Sequence, residues 1–193
     1  MRFVTDFADQ AVVLPVVAAI GIALLAQGWR RGAAAWVVAV AVTFAVMLLL
    51  KLVFIACPVS VGISGLRTPS GHVAAATVVA GGLAALLLRR PRPALSVAVV
   101  AAMVIGVSRL ALGAHSTLEV AVGAGVGLAG ALLLIGLSGS VPEHLSARRI
   151  TTVALLVALV FHGLHLPAEA HIRSTAWRIS QMLGVCQSGE LRL

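Results

Sequence analysis

Away from the termini and the basic loops, the ionisable and hydroxyl residues best suited to chemistry fall in three places. Lys51 lies inside a long apolar run. "RTPSGH" (Arg67 to His72) opens the next run, and "SRLALGAHSTLE" (Ser108 to Glu119) bridges two later ones. Lys51, Arg67 and Arg109 are cationic donors, and Glu119 is the one acid near them in these stretches. Their surplus positive charge asks for an anion, and the planar guanidinium suits phosphate. Ser70 and Gly71 stand just ahead of an apolar run. A helix starting there directs free N–H groups and its positive dipole end at a ligand, and Gly71 lets the backbone approach closely. Ser70 equally suits an N-cap. His115 and Glu119 are four apart, so on a helix the carboxylate can hold the imidazole in one tautomer and raise its basicity. A histidine held in this way is a nucleophile or a general base. His72, from a different helix, can protonate a leaving oxygen. Two histidines in a cationic cradle, without a Cys-rich or carboxylate-rich cluster, point to metal-free phosphoryl transfer, with the cations on the equatorial oxygens.

The elements that must position these residues are membrane helices. The chain is 61% hydrophobic and only 10% charged, against about 25% charged in soluble domains. It has no Tyr and few aromatics, which argues against a barrel with aromatic girdles. Apolar runs at about 11–27, 33–57, 71–88, 94–112, 118–138 and 150–166 predict an all-α integral membrane bundle of about six transmembrane helices. Residues 1–193 read as a single domain, with the chemistry within 51–119. From Glu169 onward, Arg173, Trp177, Arg178, Met182 and Leu183 read as an interfacial amphipathic tail over 167–193.

The net charge of +8 implies topology control rather than nucleic acid. Arg30 and Arg31, then Arg89, Arg90 and Arg92, then Arg148 and Arg149 occupy alternate connections, hence one side, assigned to the cytoplasm. The three polar places and both termini then share the outer face. Asp6 and Asp9 offset Arg2 and argue against a cleaved leader. Lys51 is the only lysine. An ammonium in an apolar run is costly and reads as functional, although it could also snorkel to the interface. His162, His165 and His171 read as interfacial histidines rather than metal ligands. Gly123 and Gly127 form a small-xxx-small pair that reads as packing within the bundle. Cys57 and Cys186 both fall outside, where a bridge would pin the tail beside the site; each also reads as a small buried residue.

"PSGH" (Pro69 to His72) and "SRLALGAHSTLE" resemble the second and third signatures of the type-2 phosphatidic acid phosphatase, or lipid phosphate phosphatase, superfamily. The third signature fits through His115, with Glu119 where Asp is usual. The first signature fits at Lys51, but its Arg-Pro is replaced by Pro58-Val59. The resemblance implies a helical membrane bundle acting on lipid phosphates without a metal or other cofactor. It implies that His115 forms a phosphohistidine, that Glu119 orients it, and that His72 is the general acid. Lys51, Ser70, Gly71, Ser108 and Arg109 would bind phosphate. Arg67, two residues before Pro69, is expected to supply the missing arginine. The implied activity is hydrolysis of a lipid phosphate or pyrophosphate at the outer face of a bacterial inner membrane, the bacterial assignment resting on small size and Ala/Arg-rich composition. Undecaprenyl diphosphate, phosphatidylglycerol phosphate, phosphatidic acid and prenyl phosphates all fit, with membrane lipids as the other partners and no nucleic acid. Two alternatives stand beside it: a lipid phosphotransferase, and a phosphate-binding membrane protein impaired by the missing arginine. Nothing in the sequence sets an oligomeric state.

Overall fold

The computed structural model describes residues 1–57, 66–88 and 90–183, apart from the Arg2 side chain. These residues form α1 (Arg2–Asp6), α2 (Gln10–Ala26), α3 (Arg30–Ala56), α4 (Gly71–Leu88), α5 (Pro91–Ala111), α6 (Thr117–Ser138), α7 (Ala147–Phe161) and α8 (Ala168–Leu183). Stretches long and apolar enough to cross a membrane are Phe3–Ala26, covering α1 and α2, and α3, α4, α5 and α6. The expected sixth span is shorter than its apolar run suggests. The 15 residues of α7 reach about 22 Å, less than the roughly 30 Å of hydrocarbon, because the backbone leaves the helix at His162 and Gly163 adopts a left-handed φ of 84°. Spanning helices expose large apolar side chains such as Leu49, Val100, Met103 and Leu132, as helices surrounded by lipid must.

The helices close on one another through small residues. α4 packs against α5, α6 and α3. A Cβ on Gly127 would sit 2.7 Å from the Ala74 carbonyl oxygen, and one on Gly81 would sit 2.6 Å from the Ala98 Cβ. The Gly123 and Gly127 pair therefore faces α4 within the bundle, where close backbone approach maximises van der Waals contact. Trp36, fully buried, ties α3 to α2 by donating its indole N–H to the Val17 carbonyl at 2.9 Å. Buried Thr43 and Thr77 satisfy their hydroxyls on the carbonyls of Ala39 and Val73 one turn back.

Two ends result. At one, Arg31 donates to the Leu137 carbonyl near the end of α6, Pro91 starts α5 in the position where its missing N–H costs nothing, and Ser146 caps α7. The other end gathers the starts of α2, α4 and α6, the ends of α3 and α5, and α8. α7 lies along α2 and returns the chain to this second end, where α8 docks on α3.

Candidate active site

Glu119 is the hub of that second end. It sits in the first turn of α6, 6% exposed, inside a reciprocal cap with Ser116. One carboxylate oxygen accepts from the main-chain N–H groups of Arg67 and Thr68, at 2.8 and 2.7 Å. The other accepts from the Ser116 N–H at 3.0 Å and from His115 Nδ1 at 3.0 Å. The Glu119 carbonyl accepts from the Ser70 N–H at 3.0 Å. This one residue therefore welds the segment leading into α4 to the start of α6 and fixes the His115 ring. A carboxylate can only accept, so Nδ1 carries the hydrogen and Nε2 keeps its lone pair. His115 is a loop residue between α5 and α6. Burial pushes its imidazole below the ordinary value, the Glu119 hydrogen bond pulls it up, and the Arg109 charge pushes it down again, leaving it net lowered.

Lys51 lies more than a turn inside α3 and is 5% exposed. Its chain crosses the start of α4: a Cβ on Gly71 would sit 3.6 Å from Cε and 4.0 Å from Nζ. The ammonium is hydrogen-bonded to Glu169, from the first turn of α8. Ser70 is fully buried, yet its Oγ has no hydrogen-bond partner, and neither has Nε of half-buried Arg109. Ser70 thus does not use its hydroxyl as a cap. Buried polar atoms without partners are uncommon and call for an acceptor or donor from elsewhere; an oxyanion would suit Arg109 Nε and Ser70 Oγ alike. His72 Nε2 faces Asp9 Oδ2 at 3.8 Å, too long for a hydrogen bond but close enough for charge to act.

The remaining expected residues are placed differently. Ser108 is 1% exposed; it donates to the Ile105 carbonyl at 2.7 Å and lies 2.7 Å from the Thr5 hydroxyl. Its hydroxyl joins α1 to α5, with its hydrogen given to the Ile105 carbonyl in this structure. The Arg67 side chain is exposed, and its N–H is what serves Glu119. Pro58-Val59, where the first signature's Arg-Pro would stand, lies outside the described residues. Cys57 is in a disulfide, and Cys186 lies outside the described residues.

Glu119 is not the only acid near the cations, as the sequence suggested. Asp9 caps α2 through the Ala11 N–H at 2.8 Å and accepts from the Leu166 N–H at 3.2 Å. A cavity of about 530 Å³ is lined by Asp9, Lys51, Gly71, His72 and Glu169 at its polar end, and by Phe44, Met47, Leu48 and Ile172 at its apolar end. A second, of about 400 Å³, shares Asp9 and His72 and adds Arg109 and His165. His72 stands between the two. The place of Asp9 and Glu169 at the site is not legible in the sequence because their partners are distant along the chain. The available signal was topological: both termini were assigned to the same face as the site. His165 contacts Asp6 at 3.0 Å, and His162 packs its ring against Phe3 and Phe7. Among the described residues no group of three or more His, Cys, Asp or Glu side chains is arranged to hold a metal ion.

Residues 36–140, more than half of the chain, match the family model described as the PAP2 superfamily. That segment includes Lys51, Arg67, Ser70, Gly71, His72, Ser108, Arg109, His115 and Glu119. No curated protein and no solved structure matches the chain. The chain, a helical protein with several apolar spans, belongs to the PAP2 superfamily, whose members are generally phosphatases.

Proposed function

We propose that the protein is a metal-independent lipid phosphate phosphatase that works through a phosphohistidine on His115. The observation carrying this reading is the His115–Glu119 pair. A carboxylate saturated by four donors holds Nδ1, and the Nε2 lone pair of a neutral imidazole is left for attack. His115 Nε2 attacks phosphorus, and the P–O ester bond breaks as His72 gives its proton to the leaving oxygen. Water then attacks the phosphohistidine, His72 takes its proton, and the N–P bond electrons return to His115. Lys51, Arg109, Ser70 and the N–H groups at Gly71 hold the phosphoryl oxygens as charge builds on them. Arg67, exposed on the adjoining loop, supplies a further cation to the substrate.

The apolar lining of the larger cavity supports a substrate whose phosphate is carried on a lipid. Candidates of this chemistry are undecaprenyl diphosphate, phosphatidylglycerol phosphate, phosphatidic acid and prenyl phosphates. The arginines at the opposite end of the bundle support an orientation with the site at the outer face of a bacterial plasma membrane. Purified wild-type protein should release phosphate from a lipid phosphate in detergent micelles. His115→Ala should lower the turnover by at least about 10³-fold, and acid-labile phosphate should be trapped on wild type but not on the variant. Equal turnover by the two proteins would refute the reading.

A further inference from the structure

We infer that Asp9 and Glu169 act as specificity-determining residues that favour lipids ending in a single phosphate over the diphosphates of the same chain. The inference rests on the phosphatase reading above and narrows it to a substrate class. Its basis is the charge placed around the larger cavity. Its polar end holds one cation, Lys51, and two carboxylates, Asp9 and Glu169. Arg109 joins from the adjacent cavity, which Asp9 also lines. Across the two cavities, Lys51 and Arg109 therefore face Asp6, Asp9 and Glu169 before substrate arrives, and the Glu119 carboxylate is already committed to His115 and three N–H groups.

Glu169 is also in direct competition with substrate. One of its oxygens occupies the Lys51 ammonium, and the other is buried without a hydrogen-bond partner, with Arg173 Nε 3.7 Å away. Burial pushes the Glu169 carboxyl up, but the Lys51 hydrogen bond and charge outweigh this and leave it below its ordinary value, so it is anionic at neutral pH. A phosphate entering the site must take Lys51 from Glu169, then remain beside the displaced carboxylate and beside Asp9. A single phosphate, with close to two negative charges, can be matched by Lys51 and Arg109. A diphosphate brings further negative charge into the same space, where the further cations, Arg67 and Arg173, are exposed and screened by water. Like charges a few ångströms apart repel strongly where water is scarce.

The test compares farnesyl phosphate with farnesyl diphosphate, two substrates with one tail, in detergent micelles. Wild type should show a kcat/KM for the monophosphate at least about tenfold above that for the diphosphate, and inorganic phosphate should inhibit more strongly than inorganic diphosphate. In Glu169→Gln the KM for both substrates should fall. The monophosphate preference should shrink about tenfold, chiefly through the KM of the diphosphate, and Asp9→Asn should shift it the same way. A wild-type preference for the diphosphate overturns the inference, and so does an unchanged ratio in both variants when they elute as folded protein. If Glu169→Gln does not fold, the wild-type ratio and the two inhibition constants decide alone. If wild type and His115→Ala are equally inert on both substrates, the phosphatase reading fails and this inference with it.

Discussion

His115 illustrates how one side chain acquires a role from its neighbours. Its Nδ1 is fixed by Glu119, and that carboxylate is itself fixed by three main-chain N–H groups from two separate segments. Glu119→Gln would keep the shape and lose the match, because an amide NH2 cannot accept from the N–H groups one of its oxygens now serves. Turnover should fall by at least about 10²-fold, measured as phosphate release. Glu119→Asp restores the residue usual in the family's third signature, yet this backbone is built around the longer arm. Asp should reach only one side of the cluster and lower kcat by about tenfold, with KM little changed. The pH dependence follows from the same environment. Burial first, then the charges of Arg109 and Lys51 against the Glu119 hydrogen bond, lower the His115 imidazole from its ordinary 6.5. In the proposed reaction the group must be neutral to attack, so the acid limb of kcat/KM that belongs to His115 should lie below pH 6.5; a limb at or above that value would contradict a lowered imidazole. Stability shifts with pH in the same direction. The neutral form is favoured in the native state, so this contribution is fully present above 6.5 and is lost as pH falls toward the lowered native value. Arg67 has its own measurement: Arg67→Ala should lower kcat/KM by about tenfold if its exposed guanidinium reaches substrate, and near-wild-type activity would remove it from the site.

At the scale of elements, the site depends on how closely α4 and α6 approach. Gly123 lies so near the Ser70 carbonyl that a side chain there would collide with it, and Gly127 fits against Ala74 and Thr77. These contacts set the distance between the start of α4, which carries Ser70 and His72, and the start of α6, which carries Glu119. Gly127→Leu should therefore push the helices apart, costing about 1–3 kcal/mol or more from overpacking. It should lower the temperature at which the detergent-solubilised protein loses its monodisperse elution, and it should lower activity at temperatures where the fold persists. The five long spans were legible in the sequence because an apolar run of bilayer length has few other uses. α7 was not, because hydropathy continues through His162 to Leu166 while the backbone turns at a left-handed Gly163. α8 was legible as amphipathic, but its docking on α3 depends on tertiary contacts that periodicity does not encode. The hydrogen bonds of Ser108 were illegible for the same reason: a signature position shows residue type, not that Thr5 and Ile105 hold its hydroxyl.

Across the whole molecule, charge is sorted by end. Arg30, Arg31, Arg90, Arg92, Arg148 and Arg149 flank one set of helix ends. Of the six acidic residues in the chain, Asp6, Asp9, Glu119 and Glu169 gather at the other end. The convergence of the three polar stretches could be foreseen from alternation of spans alone. The two extra carboxylates could not, because in sequence Asp9 reads as a charge offsetting Arg2 and Glu169 as the start of an interfacial tail. Their joint effect is to offset the cations around the proposed phosphate pocket, which the three polar stretches alone would leave strongly basic. The proposed sidedness rests on the arginine end: arginine-rich short connections favour the cytoplasm, and the pocket at the opposite end would then face out. Right-side-out membrane vesicles should therefore hydrolyse a water-soluble short-chain lipid phosphate added outside, without detergent. Sealed inside-out vesicles should do so only after permeabilisation. The reverse latency would show that the arginine end lies outside. Activity in both preparations before permeabilisation would show that the protein inserts in two orientations, which the asymmetry of its arginines argues against.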